Sequence, residues 1–106
     1  MGSLTNTFKA FGKEQITTFD SDFDIADAFG IKAIKDTYNA VKKEWSKDVQ
    51  YFAEFIMVLN WKCWQHYYID NHDYGRLYKD LYYKARDYAL NHFKGEELKY
   101  LLNEID

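Results

Sequence analysis

From about residue 20 onward, apolar positions recur at spacings of three and four, and no proline interrupts the chain. That period predicts helices throughout and offers no strand. The run Asp20-Ser21-Asp22-Phe23-Asp24 places acids where the free N–H groups of a helix start accept them. A short first helix from Phe23 to Phe29 is expected, closed by Gly30 in a left-handed cap. Ile31, Ile34, Tyr38, Val41 and Trp45 form one narrow stripe of a second helix, with Lys32, Lys35, Asp36, Asn39 and Lys43 on its wet side. After a cap at Ser46 or Asp48, a third helix aligns Val49, Phe52, Ile56, Leu59, Cys63 and His66. Asp70-Asn71-His72-Asp73 reads as a polar turn. The fourth helix gathers Tyr74, Leu77, Tyr78, Leu81, Tyr82, Ala85, Tyr88, Ala89, His92 and Phe93 into one wide arc, opposite Arg76, Lys79, Asp80, Lys84, Arg86 and Asp87. Pairing of Arg76 with Asp80 and of Asp80 with Lys84 is expected there. Gly95 ends it, and a last helix turns Leu98, Leu101, Leu102 and Ile105 inward.

Three amphipathic helices joined by short turns pack antiparallel. The expected fold is therefore all-α, an antiparallel helical bundle of three long helices plus short N- and C-terminal helices. Residues 1–19 lack the period and contain Gly2 and Gly12, so they read as a flexible N-terminal arm preceding a single bundle domain at 20–106. Its Phe8, Phe11 and Phe19 remain able to dock.

Composition narrows the function classes. At 106 residues and 47 % hydrophobic content the chain suits one globular domain and is too apolar for disorder. The uncharged run Phe55–Trp61 is only seven residues, well short of a membrane span. The start shows no signal core, which leaves a cytoplasmic location as the default expectation. The net charge of −3 speaks against a polyanion as partner of the whole surface. By segment, however, the sign alternates: −4 over 20–27, +3 over 28–47, −3 over 48–73, +3 over 74–94 and −3 over 95–106. Alternation of that kind suits folding or self-association better than a bulk electrostatic partner.

Candidate chemistry is thin. Asp20, Asp22 and Asp24 fit positions one, three and five of a calcium loop, but Ile25 stands where the loop needs Gly and Ile31 where it needs Glu. Cys63 and His66, with Asp70, His72 and Asp73 beyond them, are zinc-ligand types. Positions 63 and 66 nevertheless continue a core stripe. A single cysteine in mid-helix, away from any Gly-rich elbow, is a poor nucleophile, and no phosphate-cradling glycine loop occurs. The expectation is a protein that is not an enzyme and needs no cofactor or metal. The alternative function is a DNA-binding regulator using a degenerate helix-turn-helix at residues 23–45. Ala26, Phe29, Gly30 and Ile31 match its first half, and Lys32, Lys35, Lys42 and Lys43 supply phosphate contacts. Asp36 and Asn39 occupy positions where its second half wants apolar residues, which argues against nucleic acid.

The stretches Asp24-Ile25-Ala26-Asp27-Ala28-Phe29-Gly30, Met57-Val58-Leu59-Asn60-Trp61-Lys62 and Lys94-Gly95-Glu96-Glu97-Leu98 resemble a family of small all-helical proteins of anaerobic gut and oral bacteria. The resemblance runs from about residue 22 to the C-terminus. It implies a helical fold and carries over no activity and no site residue.

One feature of the third helix points to function. Beside its core stripe runs a second apolar row, Met57, Trp61, Trp64 and Tyr68, roughly 120–140° away around the helix. One neighbouring helix cannot cover both rows. Gln50, Glu54 and Gln65 share its side. Large aromatics among polar neighbours are the composition of a protein–protein interface. The expected partner is a second copy, a homodimer, or another protein; the competing reading has the first helix or the arm fold over the row.

Overall fold

A computed structural model describes residues 13–105, with side chains from Phe19 onward. The expectation for residues 1–12, including Phe8 and Phe11, lies outside the described residues. Five helices follow one another: α1 (Lys13–Phe29), α2 (Ile31–Trp45), α3 (Val49–Tyr68), α4 (His72–His92) and α5 (Gly95–Ile105). The fold is an all-α antiparallel bundle, as the periodicity predicts.

Ring contacts fix the directions. Phe19 meets Tyr51 and Phe55, while Asp27, further along α1, reaches His66, so α1 and α3 run the same way. Trp45 lies on Tyr51 and Tyr38 on Phe55, which makes α2 antiparallel to α3. Phe93 meets Phe52 and Tyr74 meets His66, which makes α4 antiparallel as well. Phe55 is the hub of the core: its ring lies 5.3 to 6.3 Å from those of Phe19, Phe23, Tyr38 and Phe52. Offset and edge-on aromatic pairs of this kind add to the burial free energy.

The expected stripes are largely the buried ones. Ile34, Tyr38 and Val41 face the core from α2, although Ile31 at its first position is exposed. Phe52, Ile56, Leu59, Cys63 and His66 are all buried on α3. Tyr78, Leu81, Ala85 and Ala89 anchor α4, Phe93 follows them, and Leu101 anchors α5. His92 turns outward instead and donates from Nε2 to the Ser46 carbonyl at 2.7 Å, tying the end of α4 to the α2–α3 turn. Asp48 caps α3 by accepting from the Tyr51 N–H at 3.1 Å. Asn71 does the same for α4 through the Tyr74 N–H.

Two local expectations need correction. The first helix begins at Lys13 rather than Phe23. Its stripe is Phe19, Phe23 and Ala26, all buried, so Asp20, Asp22 and Asp24 sit in mid-helix and not at its start. On α4, Asp80 pairs with Lys84 at 3.2 Å as expected, but Arg76 turns back to Asp73 at 2.7 Å. Gly30 has φ 113° and ψ −176°, a conformation that side chains resist, and lets α2 double back directly on α1.

Candidate functional site

Three acids of α1, Asp20, Asp24 and Asp27, lie one helical turn apart and face α3. Opposite stands Lys62, whose side chain is 0 % exposed. Its ammonium pairs with Asp24 and, at 2.8 Å, with Asp27. His66, one turn on, donates from Nε2 to the same Asp27 oxygen at 2.8 Å. The Tyr78 hydroxyl of α4 donates to the other Asp27 oxygen. The Tyr74 hydroxyl donates to the Asp27 carbonyl at 3.3 Å. One carboxylate thus gathers three charged or polar side chains from two helices, which is how a buried ion is tolerated.

The electrostatics follow from that arrangement. Burial pulls the Lys62 ammonium down, but its hydrogen bonds to Asp24 and Asp27 and their charges outweigh it and leave the pKa above the ordinary lysine value. Burial pushes Asp20 up, helped by Asp24 and opposed by Lys62. Burial, followed by the hydrogen bond to Asp27, raises the Tyr78 phenol far above its usual range. Lys62 is held protonated and out of reach of solvent. The arrangement locks α1 onto α3 and α4, and it leaves Lys62 no free lone pair with which to act as base or nucleophile.

The zinc-ligand types are dispersed. Cys63 is buried, and burial raises its thiol pKa against a smaller opposing effect of Lys79. His66 is engaged by Asp27, while His72 is at the surface with Asp70, 2.7 Å away. Among the described residues no group of three or more His, Cys, Asp or Glu side chains could hold a metal ion. Of the helix-turn-helix residues, Ala26 is buried and Gly30 makes the corner, but Asp36 and Asn39 are exposed. Lys32 pairs with Asp36 at 2.8 Å, and the Lys42 ammonium lies 4.4 Å from the centre of the Tyr88 ring.

The second row of α3 divides along its length. Toward the N-terminal end, α5 lies beside it: Lys47, Asp48, Val49 and Gln50 share a hollow with Glu96, Glu97 and Tyr100. With 11 residues against the 20 of α3, α5 is about 16 Å long beside about 30 Å. Beyond its reach the exposure of the row rises along the helix. Met57 is half-buried, Trp61 is 46 % exposed, Trp64 64 % and Tyr68 92 %, with Ile69 exposed just beyond. Among the described residues, Trp61, Trp64, Gln65, Tyr67 and Tyr68, none of them charged, line a hollow of about 600 Å³. Tyr67 is held in place from behind: its ring lies so close to Gly75 of α4 that a Cβ there would meet it at 3.1 Å. Trp61, Trp64 and Tyr68 of the sequence-derived row thus share one hollow with Tyr67, and Met57, half-buried, does not line it.

Sequence reasoning missed Asp24, Asp27, Lys62, Tyr74 and Tyr78 as one cluster; it placed His66 on the core stripe, where the structure has it, but not its partner Asp27. A sign was present: Lys62 follows Val58 and precedes His66 at four-residue spacing, in line with core positions, and three aspartates repeat at helical spacing on α1.

No known protein family, no curated protein and no solved structure matches this chain. Among the described residues no helix is long and apolar enough to cross a membrane.

Proposed function

We propose that this small helical domain acts without catalysis, through protein–protein contact, and that the partner is a second copy docking on the aromatic end of α3. The observation that carries the reading is the exposure of Trp64 and Tyr68 beside a hollow whose described lining residues are uncharged. Large exposed aromatic surface in a small domain is costly in water unless something covers it. A two-fold dimer brings each patch against itself, so a charged patch would repel its own image. The lining residues Trp61, Trp64, Gln65, Tyr67 and Tyr68 impose no such repulsion. The alternating charge of successive segments supports the same partner.

Sedimentation of the full chain against Trp64→Glu tests this. The wild type should show a mass rising with concentration toward two chains, and Trp64→Glu should stay monomeric with its helical spectrum intact. A wild type that remains monomeric at high concentration overturns the proposal. If Trp64→Glu also unfolds, the row is core and is covered within one chain.

A further inference from the structure

The seam between α3 and α5 has an unusual composition. Its grip is apolar, with Leu101 buried and Leu98, Tyr100 and Ile105 packed against the core. At 11 residues, α5 is shorter than helices that persist alone in water, so its order depends on docking. Inside that seam sits Glu54, half-buried, its Oε1 cut off from solvent and without a hydrogen-bond partner. The groups facing it are acids and a phenol: Glu104 and Tyr100 from α5, and Asp48 from the cap of α3. Lys47, Glu96 and Glu97 rim the neighbouring hollow, and no described basic group forms an ion pair with Glu54. An ionised carboxylate in that place is buried, unpaired and opposed by like charge, whereas a neutral one is tolerated.

We propose that α5 is a proton-dependent latch on α3: it docks firmly while Glu54 is protonated and loosens when Glu54 ionises against Glu104 and Asp48. Burial first, then Glu104 and Asp48, push the Glu54 carboxyl from its ordinary 4.5 up to about 7. The sign follows by linkage. Released, Glu54 loses its proton near 4.5; docked, it keeps the proton until about 7. Docking is therefore strongest below the lower value, weakens as pH rises between the two, and levels off above the higher one. Glu54 also belongs to the row of Gln50, Met57, Trp61, Trp64 and Tyr68. Loosening of α5 lengthens the open strip on α3, but the latch holds whether or not that strip binds a second copy.

Amide hydrogen exchange of the full chain at about pH 5.5 and about pH 8, corrected for intrinsic exchange, reads the latch directly. Protection over Leu98–Ile105 should fall roughly tenfold or more relative to α3 and α4 at the higher pH. Glu54→Gln should remove most of that difference, and Glu104→Gln should reduce it. Unchanged protection of α5 in the wild type overturns the proposal, as does an undiminished fall in both variants.

Discussion

Asp27 is the residue on which the interior depends most. It accepts from Lys62, His66 and Tyr78, and its own carbonyl accepts from Tyr74. Removing that carboxylate strands His66 and Tyr78 together and leaves Lys62 with Asp24 alone, whereas removing one donor leaves the others in place. Asp27→Ala should therefore lower the unfolding free energy by about 3–5 kcal/mol, the loss typical of a broken buried pair. Lys62→Met should cost clearly less. Methionine fills similar volume, His66 and Tyr78 still serve Asp27, and Asp24, half-exposed, returns to water. Urea melts of the two variants order them, and a larger loss in Lys62→Met would contradict this account of the cluster. The cluster was hard to read from sequence because its members are 38 to 51 residues apart along the chain. Periodicity tells which face a residue occupies. It does not tell which distant face will meet it, so Lys62 drew no role and Asp20 and Asp24 read as helix-start residues.

Among the elements, periodicity located α2, α3 and α4 and the turns between them, because each shows an apolar stripe long enough to fix a face. The start of α1 escaped it. Between Lys13 and Phe19 the chain holds Glu14, Gln15, Thr17 and Thr18, which give no stripe when read alone. That stretch is helical as the continuation of Phe19, Phe23 and Ala26, whose burial depends on α2 and α3. The corners show a second contrast. Gly30 and Gly95 both have positive φ, at 113° and 62°. The nearest atom to a Cβ at Gly30 is the Tyr74 hydroxyl oxygen at 4.0 Å, and nothing lies within 4 Å at Gly95. Neither substitution to alanine meets a clash, so backbone conformation alone sets the cost. Gly95 has φ 62°, the φ of the left-handed helical conformation, where an alanine costs about 1–2 kcal/mol. Gly30, with ψ near −176°, lies where essentially only glycine goes, and there the cost reaches about 3 kcal/mol. Thermal melts should show Gly30→Ala falling further than Gly95→Ala. Equal shifts would mean that the α1–α2 corner relaxes freely.

For the molecule as a whole, two physical routes to self-association can be separated by salt. The sequence offers blocks of alternating charge, and such blocks attract across a surface only while the charges are unscreened. The structure shows many of those charges already engaged within the chain. Lys62 is buried with Asp24 and Asp27, Lys32 pairs with Asp36, Arg76 with Asp73 and Lys84 with Asp80. On α3, Trp64 and Tyr68 are exposed beside a hollow whose described lining residues are uncharged. The exposure of Trp64 and Tyr68 was legible because an aromatic row 120–140° from a core stripe has no place against a single neighbouring helix. That α5 lies beside the N-terminal part of α3 was not legible, since the register of two helices depends on a turn whose geometry a pattern of spacings leaves open. Association through this row follows apolar burial, which added salt does not weaken. Between about 0.05 and about 0.5 M salt, the dimerisation constant of the wild type should stay level or tighten. A steep loss over the same range would move the contact to the charged faces of α2 and α4 and away from the aromatic end of α3.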